Sequence, residues 1–146
     1  MYQTLLSAHS GFRYVVLLML ILAILFSVSG WIGAKRYTPL NKRINLFTLI
    51  GAHIQLLLGL ILYFLSPFVK TADMASAMKD DTLRYWTVEH AVAMLLAIAL
   101  ITIGYSKSKK ILDDVARHRT VSIFYLLAFL IVVATILLSG RPLIGS

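Results

Sequence analysis

Four long stretches with almost no charge determine what this chain can fold into. They run over about residues 14–34, 44–67, 86–105 and 120–140, and each has the roughly 20 mainly apolar residues that a helix needs to cross a bilayer. With 60% hydrophobic and only 14% charged residues, a chain of 146 residues has too small an interior to bury this apolar surface. The sequence therefore predicts an all-α membrane protein, a single antiparallel bundle of four transmembrane helices over residues 1–146.

The basic residues predict the orientation of this bundle. They concentrate in the first and third loops, whereas the charges of the second loop are balanced. The positive-inside rule places the first and third loops in the cytoplasm and both termini on the periplasmic side of a bacterial inner membrane. The net charge of +8 is then explained by topology and by contact with lipid headgroups, so a nucleic-acid partner is not expected.

The sequence excludes several kinds of chemistry. It contains no cysteine, which rules out disulfides, iron–sulfur clusters and covalent c-type haem. It also lacks a nucleophile elbow, a phosphate-binding loop and a His-Glu-x-x-His zinc motif. Ionisable residues inside or beside the apolar stretches are the remaining candidates, because they are costly in a membrane unless they are used.

Two histidines form the most suggestive pair. His9 lies at the outer end of the first helix, and His90 lies one turn inside the outer end of the third. The first and third helices run in the same direction, so the two imidazoles are expected at similar depth. Two neutral imidazoles that face each other across a bundle are the axial ligands of a b-type haem. The alternative is that His9 is an ordinary interfacial residue.

The neighbours of this pair fit a flat cofactor. Arg13 shares a helix face with His9, and Arg84 lies near the outer end of the third helix. Either arginine could hold the haem propionates through paired hydrogen bonds, and Glu89 could pair with one of them or handle protons. On the face of His90, alanines leave room beside a ring, although they could equally serve helix packing. That face comprises His90, Ala93, Met94, Ala97 and Ile101.

Two further histidines have open roles. His53 is expected near the bilayer midplane, where it could ligate a second haem, bind a quinone headgroup, relay protons or hydrogen-bond a neighbouring helix. Gln55 points away from His53 on the same helix, so only one of them can face the bundle centre. His118 could pair with His53 around that second haem, but its basic neighbours favour contact with lipid headgroups.

Most of the chain resembles small bacterial four-helix membrane proteins described as cytochrome b-like. The resemblance is carried by the runs SAHSGFRYVVLL, HIQLLLGLILYFLSP, RYWTVEHAVAMLLAIALITIGYSKSK and IFYLLAFLIVV, and it implies haem b. The chain is more distantly similar to one half of haem A synthase, through His9, Gln55, Gly59 and His90. In that family the first histidine is followed directly by arginine, whereas here Arg13 comes four residues after His9. The likeness covers one of the two half-bundles of the synthase, and a homodimer of this chain would provide both.

These observations predict a haem b protein that transfers electrons in the membrane, with quinol as the electron donor. It would act alone, as a homodimer or as a subunit of a respiratory or redox complex. One alternative is a haem-modifying enzyme, as the synthase likeness implies. Another is a haem-free structural subunit whose histidines only hydrogen-bond neighbouring helices. Whether the chain is an enzyme is left open by the sequence.

Overall fold

The computed structural model describes residues 2–65, 78–80 and 88–138. Four long helices occupy these ranges: α1 (Tyr2–Ile32), α2 (Pro39–Leu65), α3 (His90–Lys110) and α4 (Asp114–Leu138). No β-strand occurs in the described ranges. All four helices are long and apolar enough to cross a membrane, which confirms the predicted all-α four-helix bundle. The chain is an integral membrane protein.

Three helices begin earlier than the hydropathy pattern predicts. α1 starts at Tyr2 rather than near residue 14, α2 at Pro39 rather than near residue 44, and α4 at Asp114 rather than near residue 120. A helix satisfies its own backbone hydrogen bonds, so it continues past the point where its side chains become polar. The 31 residues of α1 span about 46 Å, more than the roughly 30 Å of a hydrocarbon core, so α1 either tilts or extends into the headgroup layer.

Short polar caps fix two of these helix starts. At the start of α2, the Thr38 backbone N–H donates to Asn41 Oδ1 (2.8 Å) and the Asn41 N–H donates to Thr38 Oγ1 (3.3 Å). This reciprocal pair is a capping box, and Pro39 follows it at the first helical position, where its missing N–H costs nothing. At the start of α4, the Ala116 N–H donates to Asp113 Oδ2 (2.9 Å). Each cap satisfies N–H groups that the helix itself leaves without an acceptor.

Replacing Thr38 with alanine tests the capping box. We expect Thr38→Ala to lower the free energy of unfolding by about 1 kcal/mol, because the Asn41 N–H loses its acceptor. Thr38→Ser keeps the hydroxyl and is expected to stay within a few tenths of a kcal/mol of the unsubstituted chain. Unfolding by sodium dodecyl sulfate in mixed micelles, followed by circular dichroism, measures both values. Equal values for the two variants would contradict the assignment.

The helices form a ring in the order α1, α2, α3, α4. α1 packs against α2 and α4, and α4 also packs closely on α3; the contact between α2 and α3 is the smallest of the four. α1 and α3 therefore face each other diagonally and run in the same direction. Small side chains let the helix backbones approach in the core. The buried apolar residues of this core include Leu20, Ala23, Ala52, Ala97, Ile101, Val121, Tyr125 and Ala128.

The two ends of the bundle differ in chemistry. The histidine end comprises the starts of α1 and α3 and the ends of α2 and α4, and it carries His9 and His90. The basic end comprises residues 33–43 and 107–119, with nine lysines and arginines against two aspartates. Between the ends, large apolar side chains such as Leu18, Leu25, Leu57 and Leu130 are exposed on the outer faces, as expected for contact with lipid.

Candidate functional site

His9 and His90 meet at the histidine end. They lie on the diagonally opposed helices α1 and α3, with ring centroids 6.4 Å apart and ring planes at 70°. Both side chains are half-buried. The prediction that these two imidazoles share a depth is therefore confirmed, and it follows from two helices that run in the same direction.

α2 positions His9 from the side. Gln55 Nε2 donates to the backbone carbonyl of His9 (2.8 Å), which ties α2 to α1 at this turn. A Cβ added at Gly59 would lie 3.4 Å from His9 Cε1, so a side chain larger than a methyl group would displace the imidazole. Gln55 and Gly59, the two other residues of the synthase likeness, thus both contact His9.

Two polar atoms at this α1–α2 contact are buried without a hydrogen-bond partner in the described part of the chain. They are His9 Nδ1 and Gln55 Oε1. Buried polar groups normally have partners, and an unsatisfied one costs about 1–3 kcal/mol. A histidine that ligates a metal through one ring nitrogen usually donates the N–H of the other to a nearby oxygen. His9 Nδ1 and Gln55 Oε1 are such a donor and acceptor on two helices that are in contact at this turn.

The histidine pair fits a metalloporphyrin better than a bare metal ion. Two imidazole–metal bonds of about 2.0 Å, plus about 1.1 Å from each ligating nitrogen to its ring centre, would separate the two centroids by about 6.2 Å if all lay in line. The observed 6.4 Å lies close to this value, so the separation of the two rings is compatible with both imidazoles ligating one iron. Within the described ranges, no three His, Cys, Asp or Glu side chains converge, so these residues do not form a zinc-type site of three or four ligands. A porphyrin supplies four nitrogens itself and needs only an axial pair.

The helix face that carries His90 turns toward the bundle interior. Ala97 and Ile101 are buried, with 1% and 2% of their surface exposed, and Ala93 and Met94 are half-buried. This confirms that the residues grouped with His90 by helical spacing share an inward face. The alanines keep the side-chain volume beside His90 small.

Arg13 lies one turn from His9 toward the basic end. Its side chain is half-buried, Nη2 donates to the Tyr14 hydroxyl (3.0 Å), and Cζ lies 4.9 Å from the centre of the Tyr14 ring. The Arg13 side chain is thus held against α1, near the histidine pair and one turn closer to the middle of the bundle. The second predicted propionate partner, Arg84, lies outside the described residues. Glu89, directly before α3, is exposed.

The structure does not bring His53 to the histidine pair. Its side chain is exposed, and Nδ1 lies 2.8 Å from the Leu49 carbonyl one turn earlier on α2. Gln55, in contrast, points toward α1. The prediction that His53 and Gln55 cannot both face the bundle centre is confirmed, and Gln55 is the inward residue.

His118 is buried, so the prediction that it contacts lipid headgroups is wrong. Only 1% of its surface is exposed, and Nε2 lies 3.2 Å from the Arg36 carbonyl. A Cβ added at Gly30 would lie 2.5 Å from the ring, so α1 accommodates the imidazole where it has no side chain. Because α4 already begins at Asp114, residue 118 lies within the helix, on its inner face, instead of in a loop.

A polar cluster at the basic end was missed by the sequence reasoning. The Tyr125 hydroxyl donates to the Asn45 carbonyl (2.9 Å), and Asn45 Nδ2 donates to the Tyr37 hydroxyl (2.8 Å). The Tyr37 ring packs against His118 with centroids 5.2 Å apart. The inward face of α4 could have been found from the sequence. Residues spaced three or four apart continue from the charged segment into the fourth apolar stretch. Its buried members include His118, Val121, Ser122, Tyr125 and Ala128.

The histidine end is the candidate functional site because it combines paired imidazoles, unsatisfied buried polar atoms and small neighbours. The basic end is a second polar region with different chemistry. Comparisons with protein-family models, curated proteins and solved structures give no match for this chain. Its function is therefore inferred from its own residues.

Proposed function

We propose that this chain is a membrane protein that binds one haem b and transfers electrons, with His9 and His90 as axial ligands. The observation that carries the proposal is the 6.4 Å separation of the two imidazoles on diagonally opposed helices, a distance at which both rings could ligate one iron. The His53–His118 pair is not proposed for a second haem. His53 is exposed on α2, whereas His118 is buried at the basic end.

Each residue of the site has a distinct task. When bound, haem supplies the reversible one-electron chemistry of its iron. His9 and His90 would hold the iron, and Gly59 keeps space beside His9. Gln55 is proposed as a positioning residue. Its Nε2 donates to the His9 carbonyl, and its Oε1 could accept the Nδ1–H of His9 after a side-chain adjustment that would satisfy both buried atoms. Arg13 and Arg84 are proposed to pair with the propionates.

Quinol is the proposed electron donor. An apolar groove of about 400 Å³ opens between α2 and α3, the most loosely packed neighbours in the ring. Ala91, which follows His90, lies in the wall of this groove, as does Tyr63 with its hydroxyl. A groove of this kind suits a lipid-soluble redox molecule. The charge distribution supports a bacterial inner membrane location, with the histidine end and both termini on the periplasmic side.

A haem-modifying enzyme is a second candidate. It is favoured by the contacts of Gln55 and Gly59 with His9, since these residues carry the likeness to half of haem A synthase. A homodimer would supply the second half-bundle of such an enzyme. Mass spectrometry of extracted haem distinguishes the two functions: an enzyme yields oxidised haem b derivatives that depend on oxygen, and an electron carrier yields unmodified haem b.

The visible spectrum of the purified protein tests the proposal. We expect reduced-minus-oxidised bands of a b-type cytochrome and about one haem per chain by pyridine haemochrome, because one axial pair holds one iron. We also expect a soluble quinol analogue to reduce the haem fully, because quinol is the proposed electron donor. A colourless protein from haem-replete cells would overturn both haem functions and leave a structural subunit of a larger complex.

A further inference from the structure

We propose that the basic end binds the phosphate headgroup of an anionic phospholipid. The site is a cleft of about 380 Å³ where the first loop meets the start of α4, and it is called the basic cleft below. Its lining residues are Tyr37, Thr38, Pro39, Lys42 and Arg117. Basic pockets between transmembrane helices are sites where lipid headgroups bind. This inference does not depend on the proposed haem function.

Arg117 is held in place before any ligand arrives. Its guanidinium Cζ lies 3.9 Å from the centre of the Tyr37 ring, and the Tyr37 hydroxyl is in turn fixed by Asn45 Nδ2. A guanidinium stacked on an aromatic ring keeps its N–H groups available in its own plane, where they match the oxygens of a phosphate. Fixing this side chain in advance reduces the entropy lost on binding.

Arg117 also has hydrogen-bonding capacity that the described residues leave unused. Its Nε is buried without a hydrogen-bond partner in these ranges. No carboxylate from the described part of the chain lines the cleft, and the nearby Asp113 accepts a hydrogen bond from the Ala116 N–H. With Lys42 as a second cation, the cleft offers two positive charges to a ligand with oxygen acceptors.

The backbone N–H groups at the start of α2 contribute little to this site. The N–H groups of Thr38 and Asn41 are already used in the capping box, and Pro39 has no N–H. The Thr38 hydroxyl is also occupied, because it donates to Asn41 Oδ1 (2.8 Å). Recognition of the phosphate therefore rests on the side chains of Arg117 and Lys42.

The apolar surface next to the cleft favours a lipid over free phosphate. Leu46 and Ile50 continue the face of Lys42 toward the middle of α2, and Ile50 is 44% exposed. A phospholipid with its phosphate in the basic cleft can lay an acyl chain along these residues. Free phosphate would gain nothing from them.

Lipid binding to the purified full-length chain tests the proposal. Native mass spectrometry measures retained phosphatidylglycerol, with phosphatidylcholine and inorganic phosphate as comparison probes. We expect the double variant Lys42→Gln/Arg117→Gln to bind phosphatidylglycerol at least about tenfold more weakly, a change of about 1.4 kcal/mol. Arg117→Lys keeps the charge but loses the planar donor set, and it is expected to fall in between.

A matched control separates a site from a diffuse charge effect. Lys109→Gln/Lys110→Gln removes the same charge from exposed positions at the basic end, and we expect less than about a threefold change because exposed charges are screened by solvent. Circular dichroism and size-exclusion chromatography identify variants that are folded. Equal losses in folded forms of both double variants would overturn the proposal. It would also be overturned if millimolar inorganic phosphate displaced the lipid, or if phosphatidylcholine bound equally well.

Discussion

His9→Ala and His90→Ala are each expected to purify with at least about tenfold less haem than the unsubstituted chain. Each substitution removes one of the two nitrogens proposed to ligate the iron, and a loss of only 1.4 kcal/mol in haem binding already gives a tenfold change. The rings lie 6.4 Å apart, so neither imidazole can be replaced by the other. Pyridine haemochrome per mole of protein measures the loss.

His53→Ala is the matched control for these variants. His53 also lies on a membrane-spanning helix, but it is exposed and its Nδ1 lies 2.8 Å from the Leu49 carbonyl of its own helix. We therefore expect haem content to stay unchanged. His90→Met should restore part of the haem with a higher reduction potential, since a thioether in place of an imidazole raises the potential. Loss of haem in His53→Ala, with retention in His9→Ala, would disprove the assigned ligands.

Gly104→Ala is expected to lower the free energy of unfolding by about 1–3 kcal/mol. The added Cβ would lie 2.5 Å from Phe124 Cβ. A Cβ atom cannot move by side-chain rotation, so α3 and α4 would have to separate where they now pack closely. Unfolding by sodium dodecyl sulfate in mixed micelles measures the loss.

Gly11→Ala is the control for this prediction. Among the residues that the structure describes, a Cβ added at Gly11 meets no atom within 4 Å apart from the backbone of its own helix, and alanine is the better helix former. The Gly11→Ala chain should therefore be as stable as the unsubstituted chain, or more so. If Gly104→Ala and Gly11→Ala were equally stable, close packing at Gly104 would not contribute to the bundle.

Hydropathy predicted the helices but misplaced several of their ends. The four apolar stretches revealed the bundle because lipid contact requires continuous apolar surface. The earlier starts at Tyr2 and Asp114 were missed because α1 and α4 each begin with residues that are more polar than the apolar stretch that follows. Hydropathy detects only that stretch, although the helix begins before it. Local capping signals were present at Thr38-Pro39 and at Asp113, and they mark helix starts better than hydropathy does.

The histidine pair was predictable because depth follows from residue number along two helices that run in the same direction. The burial of His118 was not, since it depends on the missing side chain of Gly30 on another helix. Helical angle alone showed that His53 and Gln55 point apart, but only the packing of α2 against α1 shows which one faces inward. Contacts between helices that are distant in sequence therefore account for what sequence reasoning missed.

The position of His9 near one end of α1 has a consequence for energy coupling. About 35 Å of helix separates His9 from Ile32 at the opposite end, and the other identified polar cluster contains no such imidazole pair. If the proposed haem is held by His9 and His90, electrons that enter and leave at the histidine end stay on one side of the membrane. Moving one elementary charge across 100 mV would change its free energy by about 2.3 kcal/mol, but here no charge crosses. Electron exchange at this end is therefore indifferent to the membrane potential.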